Sequence, residues 1–213
     1  LSYIAYMHIT LSNTGKRFNR EWIFRNINYT FTTGNSYAIT GPNGSGKSTL
    51  LQVIAGSIQL SEGEVICTEK TGDTPIDPES FYKHHAIAAP YLDVIEEMTA
   101  TEFLQFHASF KPFIPDITIQ QILERLSLEQ AANKQIRYYS SGMKQRIKLA
   151  QAVFADSPVL FLDEPCTNLD AAGYALYHEL IKNYCSGKLI IVSSNDINEY
   201  NFCTQKLQIS DYK

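Results

Sequence analysis

Two patterns of apolar and polar positions alternate along this chain. From YMHITLSN through FRNINYTFTTGNSYAIT, short alternating stretches are separated by turn residues, and EGEVIC at 62–67 has the same pattern. Alternation predicts strands with one buried face, and we expect these segments to form a small, partly antiparallel β layer. The runs SYAIT, PVLFLDE and KLIIVSS are continuously apolar, which is typical of parallel strands buried on both faces.

Helical patterns occupy the rest of the chain. After SYAIT comes a glycine-rich loop and then KSTLLQVIA, in which Leu50, Leu51 and Ile54 fall on one helical face. From about residue 91 to 140 the pattern is mostly helical. TATEFLQFHASF opens with a Thr-x-x-Glu capping box, and ITIQQILERLSLEQAAN follows KPFIP. We therefore expect an α/β domain with an inserted helical lobe.

Composition excludes several classes of protein. The formal charge of −4 argues against nucleic-acid binding, because phosphate backbones require clustered Lys and Arg. The apolar runs are of strand length, far short of the roughly 18 residues of a membrane span, so a membrane role requires a partner. The segment before Met7, an alternative start, lacks the charged region of a signal peptide. The four cysteines lie far apart without a C-x-x-C pair, which favours a reduced, cytosolic chain.

The stretch GPNGSGKST fits the phosphate-loop pattern G-x-x-x-x-G-K-[ST] between a predicted strand and a predicted helix. Its glycines allow backbone N–H groups to wrap phosphates, and the helix start adds a positive end. Lys47 would reach the β and γ phosphates, and Ser48 would bind magnesium. The predicted nucleotide-binding residues of this stretch are Gly41, Pro42, Asn43, Gly44, Ser45, Gly46, Lys47, Ser48 and Thr49.

The run PVLFLDEP places two carboxylates at the end of a buried strand, where ligands bind in open α/β sheets. We expect Asp163 to hold Mg²⁺ together with Ser48, and Glu164 to polarise the attacking water as general base. The alternative is a solvated acidic pair at a strand end.

A second candidate anion site lies in YYSSGMKQRIKLA. Ser140 can cap the helix that follows, while the N–H groups near Ser141 and Gly142 point outward. Taken alone, this stretch favours a capped core helix that binds nothing.

The motifs GPNGSGKST, SSGMKQR, LFLDEP and TNLD, in this order, resemble the ATP-binding subunit of an ABC transporter. The resemblance implies a P-loop NTPase with a mainly parallel core sheet, an N-terminal antiparallel β layer and an inserted helical lobe. The catalytic core would comprise 1–90 and 144–213, and the lobe with the signature motif 91–143. ATP and Mg²⁺ are the implied cofactors.

The resemblance also implies how subunits pair. Ser140, Ser141, Gly142 and Met143 would contact the ATP held by another subunit, in a homodimer or with a paired ATPase. Asp170 in TNLD would lie in the D-loop at that interface, and it is also a suitable helix N-cap.

The adenine ring would stack on Phe18, for which Trp22 is a rival. The membrane partner would be a separate transmembrane permease, and no nucleic acid is implied. This permease would hold the protein on the cytoplasmic face of the membrane.

Three departures from the family pattern change the activity that we expect of this protein. Met143 replaces a polar glutamine of the signature, and Asn195 stands where the family has a switch histidine. Asparagine cannot become cationic, so we expect slower hydrolysis with Glu164 still the base. The glutamine that touches magnesium in the family is also missing, since no glutamine occurs between Gln59 and Gln105, and Pro90 aligns at that point.

Aromatic residues follow at the start of the predicted lobe. Tyr91, Phe103, Phe106 and Phe110 would form the docking surface for the membrane partner, or the three phenylalanines would form an ordinary core face.

Two other functions share these motifs. An ATP-dependent clamp or regulatory protein with little hydrolysis would fit Asn195 and the missing glutamine, whereas a small-molecule kinase would not need SSGMKQR or TNLD. The sequence specifies neither the transported substrate nor its direction.

Overall fold

The computed structural model describes residues 6–69 and 74–213, and they contain two β-sheets and six α-helices. The strands are β1 (Met7–Phe18), β2 (Glu21–Thr32), β3 (Ser36–Thr40), β4 (Glu62–Glu69), β5 (His85–Ala88), β6 (Val159–Asp163), β7 (Leu189–Ser193) and β8 (Gln205–Gln208). The helices are α1 (Lys47–Ile54), α2 (Ala100–Phe110), α3 (Ile119–Arg125), α4 (Ser141–Val153), α5 (Ala171–Tyr184) and α6 (Ile197–Tyr200).

The antiparallel layer has the strand order β2-β1-β4. On the central strand, Ile9 pairs with Phe31 on one side and with Cys67 on the other. Met7, Ile9 and Leu11 alternate with more exposed positions and are almost wholly buried. The predicted antiparallel layer is therefore confirmed, and it has one apolar face because only that face meets the core.

The second sheet is entirely parallel, with the order β5-β6-β7-β3-β8. Every residue of β6 and β7 is buried, which accounts for their continuous apolar runs. Because these strands are parallel, the carboxyl ends of β3, β6 and β7 meet at one edge. The α/β fold with a parallel core and an antiparallel layer is as predicted.

Helix α1 buries Leu50, Leu51 and Ile54, as the periodicity predicts. The capping box at the start of α2 is present in full, with the Thr99 hydroxyl accepting from the N–H of Glu102. Helix α3 is shorter than its pattern predicts. It ends at Arg125 because Ser127 has a φ of +54°, which the helix cannot continue through.

The aromatic stretch of α2 divides between core and surface. Phe103 is 5% exposed, whereas Phe106 and Phe110 are 44% and 75% exposed and pack edge to face. Helix α4 runs unbroken across residue 143, where the sequence predicts the lobe to end. Among the described residues, no helix is both long enough and apolar enough to cross a bilayer.

Candidate nucleotide-binding site

The loop of residues 41–46 connects the carboxyl end of β3 to the start of α1. Gly46 precedes the helix with a φ of +102°, and a Cβ there would lie 2.3 Å from Cγ2 of Ile23 on β2. Glycine is required because both this dihedral and this close approach exclude a side chain. The N-cap has no side-chain hydrogen bond and the first turn has no acidic residue. The N–H groups at this helix start therefore suit an anion.

Lys47 folds back over this loop. Its Nζ donates to the carbonyl oxygens of Gly41 and Pro42, each at 3.1 Å, and the residue is only 4% exposed. The loop thus holds an ammonium group directly above its own backbone. A phosphate group is a stronger acceptor than these carbonyl oxygens, so it can take over the hydrogen bonds of the Lys47 ammonium group.

Ser48 and Asp163 meet at the carboxyl edge of the parallel sheet, although 115 positions separate them in sequence. The hydroxyl of Ser48 donates to Oδ1 of Asp163 at 3.0 Å. Asp163 is 1% exposed, and burial raises the pKa of its carboxyl group against the opposing effect of this hydrogen bond. A carboxylate and a hydroxyl are oxygen donors of the kind that Mg²⁺ prefers, so this donor set fits the ion.

Glu164 leaves the strand in a direction different from that of Asp163. Its φ is +41°, in the left-handed region, and its N–H donates to the carbonyl of Ser193 at 2.9 Å. Its own carbonyl accepts from the hydroxyl of Thr167 at 2.8 Å. A side chain in this conformation costs about 1–2 kcal/mol, which these hydrogen bonds offset. Glu164 therefore has a backbone conformation different from that of Asp163, the last residue of the extended strand.

Asn195 follows β7 and lies against the glycine-rich loop. Its Nδ2 donates to Oδ1 of Asn43 at 2.7 Å, across 152 positions of sequence, and both residues are exposed. The structure thus gathers the loop, the end of β6 and Asn195 at one edge of the sheet.

Phe18 ends β1 at the hairpin that leads into β2. Its side chain is 48% exposed, and the Nζ of Lys16 lies 4.8 Å from the ring centroid. The rival ring of Trp22 is only partly exposed and is flanked by the guanidinium groups of Arg25 and Arg17, at 4.5 Å and 5.5 Å. Phe18 is therefore the more accessible aromatic surface for stacking.

The signature stretch borders a different cavity from the glycine-rich loop. The Ser140 hydroxyl accepts from the N–H of Met143 at 3.2 Å, so the predicted N-cap of α4 is confirmed. Asp170 caps α5 through the N–H of Gly173 at 2.8 Å, as predicted. Both caps border one cavity of about 310 Å³, whose lining includes Ser140, Ser141, Gly142, Met143, Arg146, Asn168 and Asp170. Its lining includes none of residues 41–49.

Tyr91, which the sequence assigns to the predicted docking surface, is 45% exposed. Partial burial raises the pKa of its phenol to about 12, and the negative charge of Asp163 adds to this. Tyr91 follows β5, the neighbour of β6, and the Nζ of Lys148 donates to the preceding carbonyl of Pro90 at 3.0 Å.

Comparisons with known proteins agree with this architecture. The sequence model of the ABC transporter family matches residues 24–167. The uncharacterized ABC transporter ATP-binding protein YybJ of Bacillus subtilis is 31% identical over 188 residues, which cover 88% of this chain and 85% of that protein. The cytochrome c biogenesis ATP-binding export protein CcmA of Rhizobium etli is 32% identical over 193 residues, 88% of this chain and 87% of the relative.

Solved structures give the same result. The chain superposes on a dimeric ABC transporter cassette, MJ0796, with a TM-score of 0.78 and 25% identity over 94% of each chain. A putative ABC transporter ATP-binding protein from Pyrococcus furiosus has a TM-score of 0.79 at 19% identity, with 97% of this chain and 99% of that chain covered. The chain therefore belongs to the ABC transporter family, as an ATP-binding subunit with the P-loop NTPase fold.

Proposed function

We propose that this protein is a Mg²⁺-dependent ATPase subunit whose ATP-driven dimerisation powers a separately encoded membrane permease. The observation that carries the proposal is the separation of two anion-binding regions. The loop of residues 41–49 adjoins the carboxylates after β6, whereas the capped start of α4 borders a different cavity. Each region supplies half of a nucleotide site, and a second copy or a paired ATPase supplies the other half.

The chemistry follows from the positions of the side chains. Lys47 and the N–H groups at the start of α1 bind the phosphates, and Ser48 with Asp163 holds Mg²⁺, which neutralises phosphate charge when bound. Glu164 accepts a proton from the attacking water. Asn195 orients the water or the terminal phosphate through its amide. Because asparagine has no titratable proton, hydrolysis is slower than with a histidine at this position.

Pairing places the signature residues against the other subunit's nucleotide. Ser140, Ser141, Gly142 and Met143 then complete the partner's phosphate site, and Asp170 lies at the interface. The dimeric cassette MJ0796, at 25% identity, supports the pairing of two such subunits. Phe18 stacks on the adenine.

The membrane partner docks beside α2. Phe106 and Phe110 present apolar surface there. A cavity of about 320 Å³ lies between this helix and β5, and its lining includes Tyr82, His107 and Lys111. A permease bound at this surface would keep the subunit on the cytoplasmic side of the membrane.

Phosphate release from Mg-ATP, measured across a range of protein concentrations, tests the proposal. Turnover per molecule is expected to rise with concentration, because each chain completes the other's site. Glu164→Gln should bind ATP normally and release almost no phosphate. Turnover independent of concentration, or retained in Glu164→Gln, would contradict the dimeric mechanism.

A second candidate, an ATP-dependent clamp with little hydrolysis, is favoured by Asn195 in place of histidine. It predicts that ATP causes dimerisation of the wild-type protein while phosphate release stays at background. Sedimentation with and without ATP, run beside the phosphate assay, separates the two candidates.

A further inference from the structure

A side-chain hydrogen bond joins the segment that carries Asn195 to helix α5. The hydroxyl of Tyr174 donates to Oδ2 of Asp196 at 2.8 Å. Tyr174 lies at the start of α5, where its N–H donates to the carbonyl of Asp170 at 2.9 Å. Asp196 is the residue directly after Asn195. This hydroxyl therefore connects the first turn of α5 to the backbone next to Asn195.

Asp196 is held on both of its carboxylate oxygens. Oδ1 accepts from the backbone N–H of Asn198 at 2.9 Å, which caps the short helix α6, while Oδ2 accepts from Tyr174. The N–H of Asp196 donates to the hydroxyl of Ser194 at 2.9 Å. The bond from Asn198, followed by that from Tyr174, lowers the pKa of the carboxyl group. Tyr174 thus makes a charge-assisted bond, which is stronger than a neutral one.

A separate pair of contacts holds α6 in place without Tyr174. Oε1 of Glu199 accepts from the N–H of Cys166 at 2.8 Å, and Glu199 is 4% exposed. The hydroxyl of Tyr177, which is fully buried, donates to the carbonyl of Glu199 at 2.8 Å. Removing the Tyr174 hydroxyl therefore leaves α6 attached to its neighbours and frees only Oδ2 of Asp196.

The start of α5 is also tied to the signature helix. A Cβ on Gly142 would lie 3.1 Å from the carbonyl oxygen of Asn168, so α4 and the segment before α5 are in close contact. The same segment borders the cavity that contains Ser140. The backbone of this segment is bonded in turn to Tyr174, since the carbonyl of Asp170 accepts from the N–H of Tyr174 at 2.9 Å.

We propose that Tyr174 is a positioning residue. Through its bond to Asp196, Tyr174 makes the orientation of Asn195 depend on the segment of residues 167–170. The inference rests on the proposed function, in which that segment meets the partner subunit. Partner docking then fixes Asn195, which is already bonded to Asn43, against the terminal phosphate. Hydrolysis in one site responds to assembly because Asp196, the residue directly after Asn195, is held by a bond from α5.

Tyr174→Phe removes one hydroxyl and keeps the ring, and Tyr177→Phe is the matched control on the same helix. In the full chain, Tyr174→Phe should lower kcat for ATP about fivefold and leave KM within about twofold, as loss of one hydrogen bond implies. Tyr177→Phe should lower the unfolding temperature more and leave kcat within about twofold. Equal losses of kcat in both variants would overturn the proposal.

A double-mutant cycle tests whether Tyr174 acts through Asn195. Asn195→Ala alone should lower kcat, and adding Tyr174→Phe should then cause no further loss. Multiplicative losses of kcat in the double variant, or an unchanged kcat in either single variant, would overturn the role of Tyr174. Turnover by the wild-type protein would still support the proposed function in that case.

Hydrogen exchange supplies a readout that does not require hydrolysis. Amides of residues 194–198 in the ATP-bound protein should exchange faster in Tyr174→Phe than in wild type, and not in Tyr177→Phe. Absence of wild-type turnover would contradict the proposed hydrolysis, whereas unaltered exchange in Tyr174→Phe would contradict this inference.

Discussion

Replacing Gly46 by alanine should introduce two energetic costs in the nucleotide-binding loop, namely backbone strain and a steric clash. The new Cβ would lie 2.3 Å from Cγ2 of Ile23, and the residue would keep a φ of +102°. The dihedral costs an L-residue about 1–2 kcal/mol, and overpacking against a β-branched side chain adds about 1–3 kcal/mol. The loop must therefore move away from β2, and its N–H groups lose their alignment.

Gly44→Ala is the matched control, because Gly44 also has a positive φ, +73°, yet a Cβ there would meet nothing within 4 Å. Titration with a fluorescent ATP analogue should give Gly46→Ala a Kd at least about tenfold above that of wild type, or about 1.4 kcal/mol. Gly44→Ala should lose less affinity for the ATP analogue. Adding Ile23→Ala to Gly46→Ala should recover part of the affinity, since it removes the clash but not the strain.

Two results would refute this reasoning. A Kd for Gly46→Ala within about twofold of wild type would mean that the loop tolerates the contact, because the predicted cost is several times larger. An equal loss in Gly44→Ala would mean that the dihedral, rather than the approach to Ile23, accounts for the effect.

Three further predictions concern single side chains. Burial, with the charge of Lys111, lowers the pKa of His85 to about 4 from 6.5. Between pH 4 and pH 6.5 the unfolded state therefore binds more protons than the folded state. The free energy of unfolding should fall by about 3 kcal/mol as pH drops from 6.5 to 4. His85→Gln should flatten this dependence in urea denaturation, and an identical slope would contradict it. Asn195→His should raise kcat for ATP, and phosphate release no faster than wild type would count against the role assigned to Asn195. Ser48→Ala removes the hydroxyl that donates to Asp163 and should raise the Mg²⁺ concentration for half-maximal turnover a few-fold, a loss of about 1 kcal/mol, and an unchanged Mg²⁺ titration would exclude a role for this hydroxyl.

Local sequence was sufficient for the elements and for the motifs of the site. Apolar periodicity distinguished the half-buried strands β1, β2 and β4 from the fully buried β6 and β7, because a strand's exposure is visible in its residue pattern. The caps of α2, α4 and α5 followed from single residues, since a cap is satisfied within three positions of its own helix. The end of α3 was not predicted, because the left-handed Ser127 leaves no mark in the apolar pattern.

What tertiary structure alone decided is which distant residues meet. The contacts of Ser48 with Asp163 and of Asn195 with Asn43 each span more than 100 positions, and they form because parallel strands end at one edge. The links of Tyr174 to Asp196 and of Glu199 to Cys166 join helices to loops that no periodic pattern relates. Sequence by itself determined the family and the chemical groups, since both depend on short motifs. Their geometry depends on non-local packing, which only the folded chain specifies.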